Sequence, residues 1–190
     1  TPNVQRALLT LMGEVDQLRK ETEALRAKIR DLESLADRDV FLSVLNRRAF
    51  LREVSRALAL AERHDAPSAL IYLDLNGFKA INDTHGHAAG DTALKQVAEL
   101  IAAHVRETDA VGRLGGDEFG VVLTLTPAAS AEAKAAELAE TIAATPIVHE
   151  GVEMSLGAAW GVRALERGVD VETAMAEADA AMYARKTAAA

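Results

Sequence analysis

The first 36 residues carry apolar side chains at alternating spacings of three and four. This pattern holds across four heptads without a slip, which predicts a coiled-coil helix. Leucine at most d positions and β-branched residues at a positions favour a parallel dimer; an amphipathic helix packed on its own domain is the alternative. The polar Thr22 would fix the register. The a positions are Leu8, Val15, Thr22, Ile29 and Ala36, and the d positions are Val4, Leu11, Leu18, Leu25 and Leu32.

Beyond a junction at residues 37–45, helical and strand patterns alternate, which predicts an α/β (α+β) sandwich with mixed or antiparallel pairing. Asn46 is the predicted N-cap of the first helix. Gly115 and Gly116 predict a tight hairpin turn, because glycine accepts the positive φ that such turns demand. The predicted helices span 46–64, 88–106, 128–144 and 171–186, with a short helix or turn at 78–83. The predicted strands span 68–75, 109–114 and 118–125, with one or two more between 147 and 162, broken at Gly151 and Gly157.

The 190 residues, 49% of them apolar, suit one main domain with an appendage. The absence of cysteine excludes disulfides and thiolate metal sites. No apolar run approaches the length of a membrane span, so we expect no membrane segment here and a cytoplasmic location. The chain opens on Thr1 instead of methionine, so we expect further sequence upstream.

The formal charge is −8, of which −1 falls on residues 1–39 and −7 on residues 40–190. Such an acidic surface is a poor prospect for non-specific binding of nucleic acid. We therefore expect no nucleic-acid partner. If the chain binds an anion, individual groups at a local site must bind it, because the chain as a whole is acidic.

Acidic residues lie at or next to the ends of predicted strands. Asp74 lies at the carboxyl end of an apolar strand, where carboxylates often bind metal or act in catalysis, although Asp and Asn beside Gly77 also suit a simple turn. Asp117 follows Gly115 and Gly116, which would let a ligand lie directly against the backbone. If Asp117 approaches Asp74, the carboxylate pair needs a cation, and Mg²⁺ is its natural partner.

Four short motifs occur in a fixed order: NRRAF at 46–50, DLNGFKAINDTHGHAAGD at 74–91, GGDEF at 115–119 and ADAAMYARK at 178–186. In order and spacing they resemble the GGDEF family of diguanylate cyclases over about residues 37–187. The resemblance implies a nucleotide-cyclase-like domain at 39–190, with a central, mainly antiparallel sheet flanked by helices. The coiled coil would occupy residues 1–38.

The resemblance also implies a reaction, in which two GTP molecules condense to cyclic di-GMP and release two pyrophosphates. Each domain would bind one GTP, so we expect a homodimer joined by the coiled coil, with Mg²⁺ or, in its place, Mn²⁺ as cofactor. The implied metal ligands are Asp74, the carbonyl of Leu75 and Asp117, and the implied catalytic residues are Asp117 and Glu118, either of which would assist deprotonation of the 3′-hydroxyl. The implied substrate-binding residues are Asn82 and Asp91 for guanine, Phe78, Lys79 and Lys186 for phosphate, and Gly115 with Gly116.

A second site is implied by Arg106-Glu107-Thr108-Asp109, which is similar to the family's RxxD inhibitory motif in its position before the glycine pair. In the family this motif binds cyclic di-GMP and inhibits the enzyme. Arg106 and Asp109 would contact the ligand, and Arg113 would join them. Taken alone, the same residues also fit an ordinary salt bridge at the end of a helix.

The chain departs from the family pattern in three places. Residues 39–46 read DVFLSVLN, without the usual Thr-Gly of the opening motif, so we expect an altered junction with the coil. Asn76 stands where aspartate is common. Residues 187–190 read TAAA where the family continues to a Gly-Arg pair, so the second phosphate-binding cation is absent, with Arg185 as its candidate replacement. We expect weaker triphosphate binding with activity retained.

Two alternatives to an active cyclase come from other classes. The domain could be catalytically silent and bind cyclic di-GMP through Arg106 and Asp109. It could also make a different cyclic dinucleotide, although Asp91 disfavours this, because a pocket open to both purines would be expected to lack that carboxylate.

Overall fold

The computed structural model describes the backbone of residues 2–188, and the side chains of residues 11–26, 28 and 37–188. The chain folds as two compact units, Thr1–Asp37 and Arg38–Ala190. In the described part, no helix has both the length and the apolar character to cross a membrane. The elements are α1 (Pro2–Asp37), α2 (Arg47–His64), β1 (Ser68–Asn76), α3 (Phe78–His85), α4 (His87–Ala103), β2 (Ala110–Arg113), β3 (Glu118–Leu123), α5 (Ala128–Ala144), β4 (Ile147–His149), β5 (Val152–Met154), β6 (Gly157–Leu165) and α6 (Val171–Ala188).

Helix α1 forms the first unit, as the heptad pattern predicts for its backbone. Its apolar side chains at Leu11, Leu18 and Leu25 are each more than half exposed in the single chain. The Thr22 hydroxyl donates to the Leu18 carbonyl at 2.7 Å, so its polar group is satisfied within the helix. The coiled coil stays a prediction, and the side chains of Val4, Leu8, Ile29, Leu32 and Ala36 lie outside the described ones.

The second unit is built on a four-stranded sheet in the order β2-β3-β1-β6. All three strand pairs are antiparallel, which confirms the expected antiparallel sheet flanked by helices. A separate antiparallel hairpin, β4-β5, contributes Ile147 and Met154 to the main core.

Alternation along β1 divides the core into two layers. Ile71, Leu73 and Leu75 belong to the layer formed with α4 and α5. Leu70 and Tyr72 belong to the layer formed with α2 and α6. Successive side chains of a strand point to opposite faces, so Asp74 lies on the α2–α6 side of the sheet.

Two sequence predictions need correction. The segment 147–162 holds all or part of three strands instead of one or two, with the β4-β5 turn at Gly151 in a positive-φ conformation. Gly115 and Gly116 are not among the positive-φ glycines. The hairpin between β2 and β3 therefore needs glycine for a different reason, which lies in the side chains around it.

Candidate active site

Strand β1 and the start of β3 carry the candidate acidic residues to one end of the sheet. Asp74 of β1 lies directly opposite Glu118 of β3 in the antiparallel register. The Leu75 amide donates to the Asp117 carbonyl at 3.1 Å. This bond holds the backbone of Asp117 beside β1. The backbones of Asp74, Asp117 and Glu118 thus lie at the same end of the sheet, although the first is more than forty residues from the other two in sequence.

The hairpin tip between β2 and β3 is held by two arginines. Arg113 donates from Nε to the Gly115 carbonyl at 3.0 Å and from Nη2 to the Gly116 carbonyl at 2.8 Å. Arg47 donates from Nη1 to the Leu114 carbonyl at 3.0 Å. These bonds satisfy carbonyls that a tight turn leaves unpaired, and so they fix the backbone from which Asp117 and Glu118 project.

The two glycines of this tip have different surroundings. A Cβ on Gly115 would lie 2.1 Å from Oε2 of Glu118, so the carboxylate occupies the space that a side chain would need. A Cβ on Gly116 would meet nothing within 4 Å. Gly115 therefore makes room for Glu118, whereas the backbone of Gly116 is open to a ligand.

A lysine from the last turn of α6 reaches the Asp74 carboxylate. Lys186 Nζ lies 2.5 Å from Asp74 Oδ1. The Asp74 side chain is 13% exposed and that of Lys186 is 41% exposed. The pair is thus partly shielded from water, and it connects the closing helix to the candidate metal ligand.

The donors at this end of the sheet fit a hard divalent cation. Asp74 and Asp117 offer carboxylate oxygens and Leu75 a backbone carbonyl, the ligand types that Mg²⁺ prefers. The Lys186 ammonium already places one positive charge against the Asp74 carboxylate. Within the described residues no three His, Cys, Asp or Glu side chains form a metal-binding group, so the fit rests on two carboxylates and a carbonyl.

Helices α3 and α4 place the candidate guanine-binding residues side by side. A Cβ on Gly90 would lie 2.0 Å from Oδ1 of Asn82, so the carboxamide rests on the residue before Asp91. The turn between the helices is closed by Gly86, whose amide donates to the Asn82 carbonyl at 2.9 Å. Asn82 and Asp91 therefore flank one short stretch of backbone.

The first turn of α3 carries the candidate phosphate-binding amides. Gly77 occupies the N-cap position with a positive φ of 86°, and no side chain caps the helix there. An uncapped helix N-terminus leaves amide donors free and favours negative charge. Phe78 and Lys79 thus lie where their amides can meet an anion.

Tyr72 is a residue of this site that the sequence analysis missed. Its side chain is 6% exposed and lies on the same face of β1 as Asp74. Burial raises its pKa above the usual value, and the charge of Glu118 and hydrogen bonding with that carboxylate raise it further. The alternation of Tyr72, Asp74 and Asn76 with Ile71, Leu73 and Leu75 was the available signal for a polar face.

The candidate inhibitory residues do not all lie together. Asp109 orders its own turn, because Oδ2 accepts from the Arg106 amide at 3.0 Å and Oδ1 from the Thr124 amide at 3.1 Å. Arg106 is exposed and lies with Asp109 on a groove of about 370 Å³ that Arg38 also lines. Arg113 lies at the far end of β2 and is engaged with the hairpin tip and with Asp39.

Arg185, the candidate replacement for the missing phosphate-binding cation, is directed elsewhere. Its guanidinium stacks 3.5 Å above the Trp160 ring and donates to the Trp160 carbonyl at 2.9 Å and to Glu132 at 3.1 Å. Lys186 is therefore the residue of the pair that faces the carboxylates.

The chain is similar to known sequences over most of its length. The sequence model of the family described as "Diguanylate cyclase, GGDEF domain" matches residues 36–190. Diguanylate cyclase TpbB of Pseudomonas aeruginosa is 38% identical over 195 residues, covering 97% of this chain and 44% of the relative. The probable diguanylate cyclase DgcE of Escherichia coli is 32% identical over 92% of this chain and 16% of its own. The chain thus spans less than half the length of these curated relatives.

Solved structures share the fold. The coiled coil and GGDEF domain of DgcB from Caulobacter crescentus, in complex with c-di-GMP, superposes with a TM-score of 0.80 at 26% identity. That match covers 94% of this chain and 95% of the other. Diguanylate cyclase SiaD of Pseudomonas aeruginosa, in complex with its activator SiaC, gives a TM-score of 0.78 at 25% identity, covering 98% of this chain and 73% of that one.

Proposed function

Because this chain belongs to the GGDEF-domain family of diguanylate cyclases, we propose that it condenses two GTP molecules into cyclic di-GMP and releases two pyrophosphates. The observation that carries the proposal is the register of the β1–β3 pair, which sets Asp74 opposite Glu118 and bonds the Leu75 amide to the Asp117 carbonyl. At the hairpin tip that precedes Asp117, the backbone of Gly116 has open space for a ligand.

Guanine is held by Asn82 and Asp91. A carboxylate accepts hydrogen bonds from both N1–H and N2–H of guanine, a pair of donors that adenine lacks. The Asn82 carboxamide, held over Gly90, adds a donor and an acceptor beside it. The pocket thereby favours GTP over ATP.

The triphosphate lies between the first turn of α3 and the last turn of α6. The uncapped amides of Phe78 and Lys79 donate to phosphate oxygens. Lys186 supplies a cation from the opposite side. Asp74, Asp117 and the Leu75 carbonyl would hold Mg²⁺, which when bound offsets the charge of the triphosphate and of the departing pyrophosphate.

The condensation needs two facing domains. The 3′-hydroxyl of each GTP attacks the α-phosphate of the other, a P–O bond forms, the bond to pyrophosphate breaks, and the hydroxyl proton is removed. Asp117 and Glu118 are placed to orient that hydroxyl or to accept its proton. Arg113 and Arg47 keep the hairpin tip in place for this role.

A second copy of this chain supplies the other domain. The exposed stripe of Leu11, Leu18 and Leu25 on α1 is the surface it would cover, as a parallel coiled coil. The structure of DgcB from Caulobacter crescentus likewise comprises a coiled coil and a GGDEF domain.

Product inhibition is the proposed role of the RxxD turn. Arg106 is exposed on the groove that Asp109 and Arg38 also line, and its guanidinium suits forked bonding to guanine or phosphate. Asp109 keeps the turn in shape and has remaining acceptor capacity. The DgcB structure contains c-di-GMP, and cyclic di-GMP is the ligand we propose here.

Activity is tested by incubating the full chain with GTP and Mg²⁺ and measuring cyclic di-GMP over a range of protein concentrations. With GTP we expect cyclic di-GMP to form, at a specific activity that rises with protein concentration. With ATP as the sole nucleotide we expect no product. Asp117→Asn should abolish turnover with the fold retained, whereas Glu140→Gln on the exposed side of α5 should not. Absence of product at every concentration would contradict the proposal. Cyclic di-GMP binding that Arg106→Ala removes would then identify a silent binding module.

A further inference from the structure

Lys186 and a divalent metal need the same carboxylate. The Lys186 ammonium lies 2.5 Å from Asp74 Oδ1, and Asp74 is the carboxylate at the centre of the proposed metal site. The two residues are 112 positions apart in sequence, so the contact results from docking the last turn of α6 near the end of β1.

The surroundings of Asp74 favour a cation beside its carboxylate. Asp74 lies directly opposite Glu118 in the sheet, and like charges in that relation repel each other. A cation is therefore favoured at this position even without nucleotide. The Asp74 side chain is largely shielded from water, which strengthens its attraction to whichever cation is nearest.

The Lys186 side chain is also able to move away from Asp74. Its ammonium is a point charge at the end of a flexible four-carbon stem, and its side chain keeps 41% of its surface exposed. Its neighbour Arg185 is committed to Trp160 and Glu132, which anchors the helix while Lys186 moves.

We propose that Lys186 acts as a built-in competitor for the metal position, so that a divalent cation binds Asp74 only by displacing the lysine ammonium. The displaced lysine is then available to the triphosphate, so that binding of metal and nucleotide favour each other through this one side chain. The inference rests on the proposed function to the extent that it takes Asp74 as a metal ligand.

The first test measures Mn²⁺ binding to the full chain without nucleotide, by electron paramagnetic resonance of the free ion. Lys186→Met should bind Mn²⁺ more tightly than the wild type, on the order of ten-fold. Lys186→Arg, which keeps the positive charge, should stay near the wild type. Lys134→Met removes an equal charge from the Lys134–Glu137 pair on α5 and controls for bulk charge, and Asp74→Asn identifies the site itself.

The second test follows the lysine instead of the metal. Reductive methylation, read by mass spectrometry, should modify Lys186 faster when Mn²⁺ is present, while Lys134 is unaffected. Equal Mn²⁺ affinity in Lys186→Met and the wild type, with unchanged reactivity of Lys186, would overturn the inference. Both measurements omit GTP, so tighter Mn²⁺ binding in Lys186→Met alongside a lack of cyclase activity would reject the proposed function and keep this inference.

Discussion

The carboxamide of Asn82 lies over Gly90, in the space that a β-carbon there would occupy. A Cβ on Gly90 would come 2.0 Å from Oδ1 and 2.9 Å from Cγ of Asn82. Gly90 lies inside α4 and is not among the positive-φ glycines. Glycine is therefore needed at this position for space, and the two residues form one unit in the proposed guanine pocket.

Gly90→Ala is expected to weaken GTP binding while the domain stays folded. The new methyl group would push the Asn82 carboxamide away from Asp91, and loss of one hydrogen bond to guanine corresponds to about a five- to ten-fold rise in KM. Steady-state kinetics with GTP measures this effect. An unchanged KM would show that the carboxamide is not part of the pocket.

A double-mutant cycle isolates the Asn82–Gly90 contact. In an Asn82→Ala background the obstruction is gone, so Gly90→Ala should stabilise the protein by about 0.5–1 kcal/mol through helix propensity. In the wild-type background the same change should lower the free energy of unfolding. Urea titrations of the four proteins provide the comparison, and equal effects of Gly90→Ala in both backgrounds would contradict the contact.

Local pattern was enough to predict most elements. The alanine-rich segment 128–144 predicted a helix with the bounds that α5 has, and Asn46 caps α2 as predicted, accepting a hydrogen bond from the Ala49 amide. The three-residue strands β4 and β5 are too short to show a period of two. They form their own hairpin outside the main sheet. Tertiary packing determines this pairing, so local sequence patterns cannot predict it.

For the candidate site, too, some residues could be predicted from local sequence and others could not. The motifs identified Asp74, Asp117 and Asn82, because their residue types and order carry the resemblance. The contact between Lys186 and Asp74 and the role of Arg113 at the hairpin tip depend on which surfaces meet after folding. The glycine pair suggested a positive-φ turn, whereas Gly115 is required by the position of Glu118.

The alanine variants of the two motif glycines should behave differently. In Gly115→Ala the new Cβ would displace the Glu118 carboxylate, so we expect a lower kcat with little change in KM. In Gly116→Ala the Cβ would enter open space, so stability should change by less than about 0.5 kcal/mol while KM for GTP rises.

A control makes the Gly115 result specific. In a Glu118→Ala background there is no carboxylate to displace, so Gly115→Ala should lower kcat no further. Kinetics of the single and double variants give the answer. A Gly115→Ala protein with normal kcat and a raised KM would place the ligand, not Glu118, over Gly115.

Charge introduced into the exposed stripe of α1 should dissociate the proposed dimer. Leu18 is at a d position and 61% exposed in the single chain, and lysine there would face its own copy across a coiled-coil seam. We expect Leu18→Lys to shift sedimentation toward the monomer and to lower specific activity at low protein concentration.

The neighbouring c position supplies the control for this change. Gln17→Lys adds the same charge on the outer side of the heptad, where it should leave the dimer intact. If both variants sediment as the wild type does, the stripe is not the dimer interface.

The raised pKa of Tyr72 should make the free energy of unfolding depend on pH in the alkaline range. Burial first, and then the charges of Glu118 and Asp179, raise its pKa in the folded chain, while Arg47 opposes the shift. A tyrosine in the unfolded chain has a pKa of about 10. Above that pH the unfolded state releases a proton that the folded state retains, so the stability contributed by neutral Tyr72 is complete below pH 10 and falls as pH rises.

Tyr72→Phe removes this titration and should flatten the alkaline loss of stability. The free energy of unfolding of the wild type should fall by about 1 kcal/mol more than that of Tyr72→Phe between pH 9 and pH 11. Urea titrations at the two pH values measure the difference. Tyr183→Phe, which alters the other, 65% exposed tyrosine, should follow the wild type. If Tyr72→Phe and the wild type lose stability in parallel, Tyr72 is not held neutral beside Glu118.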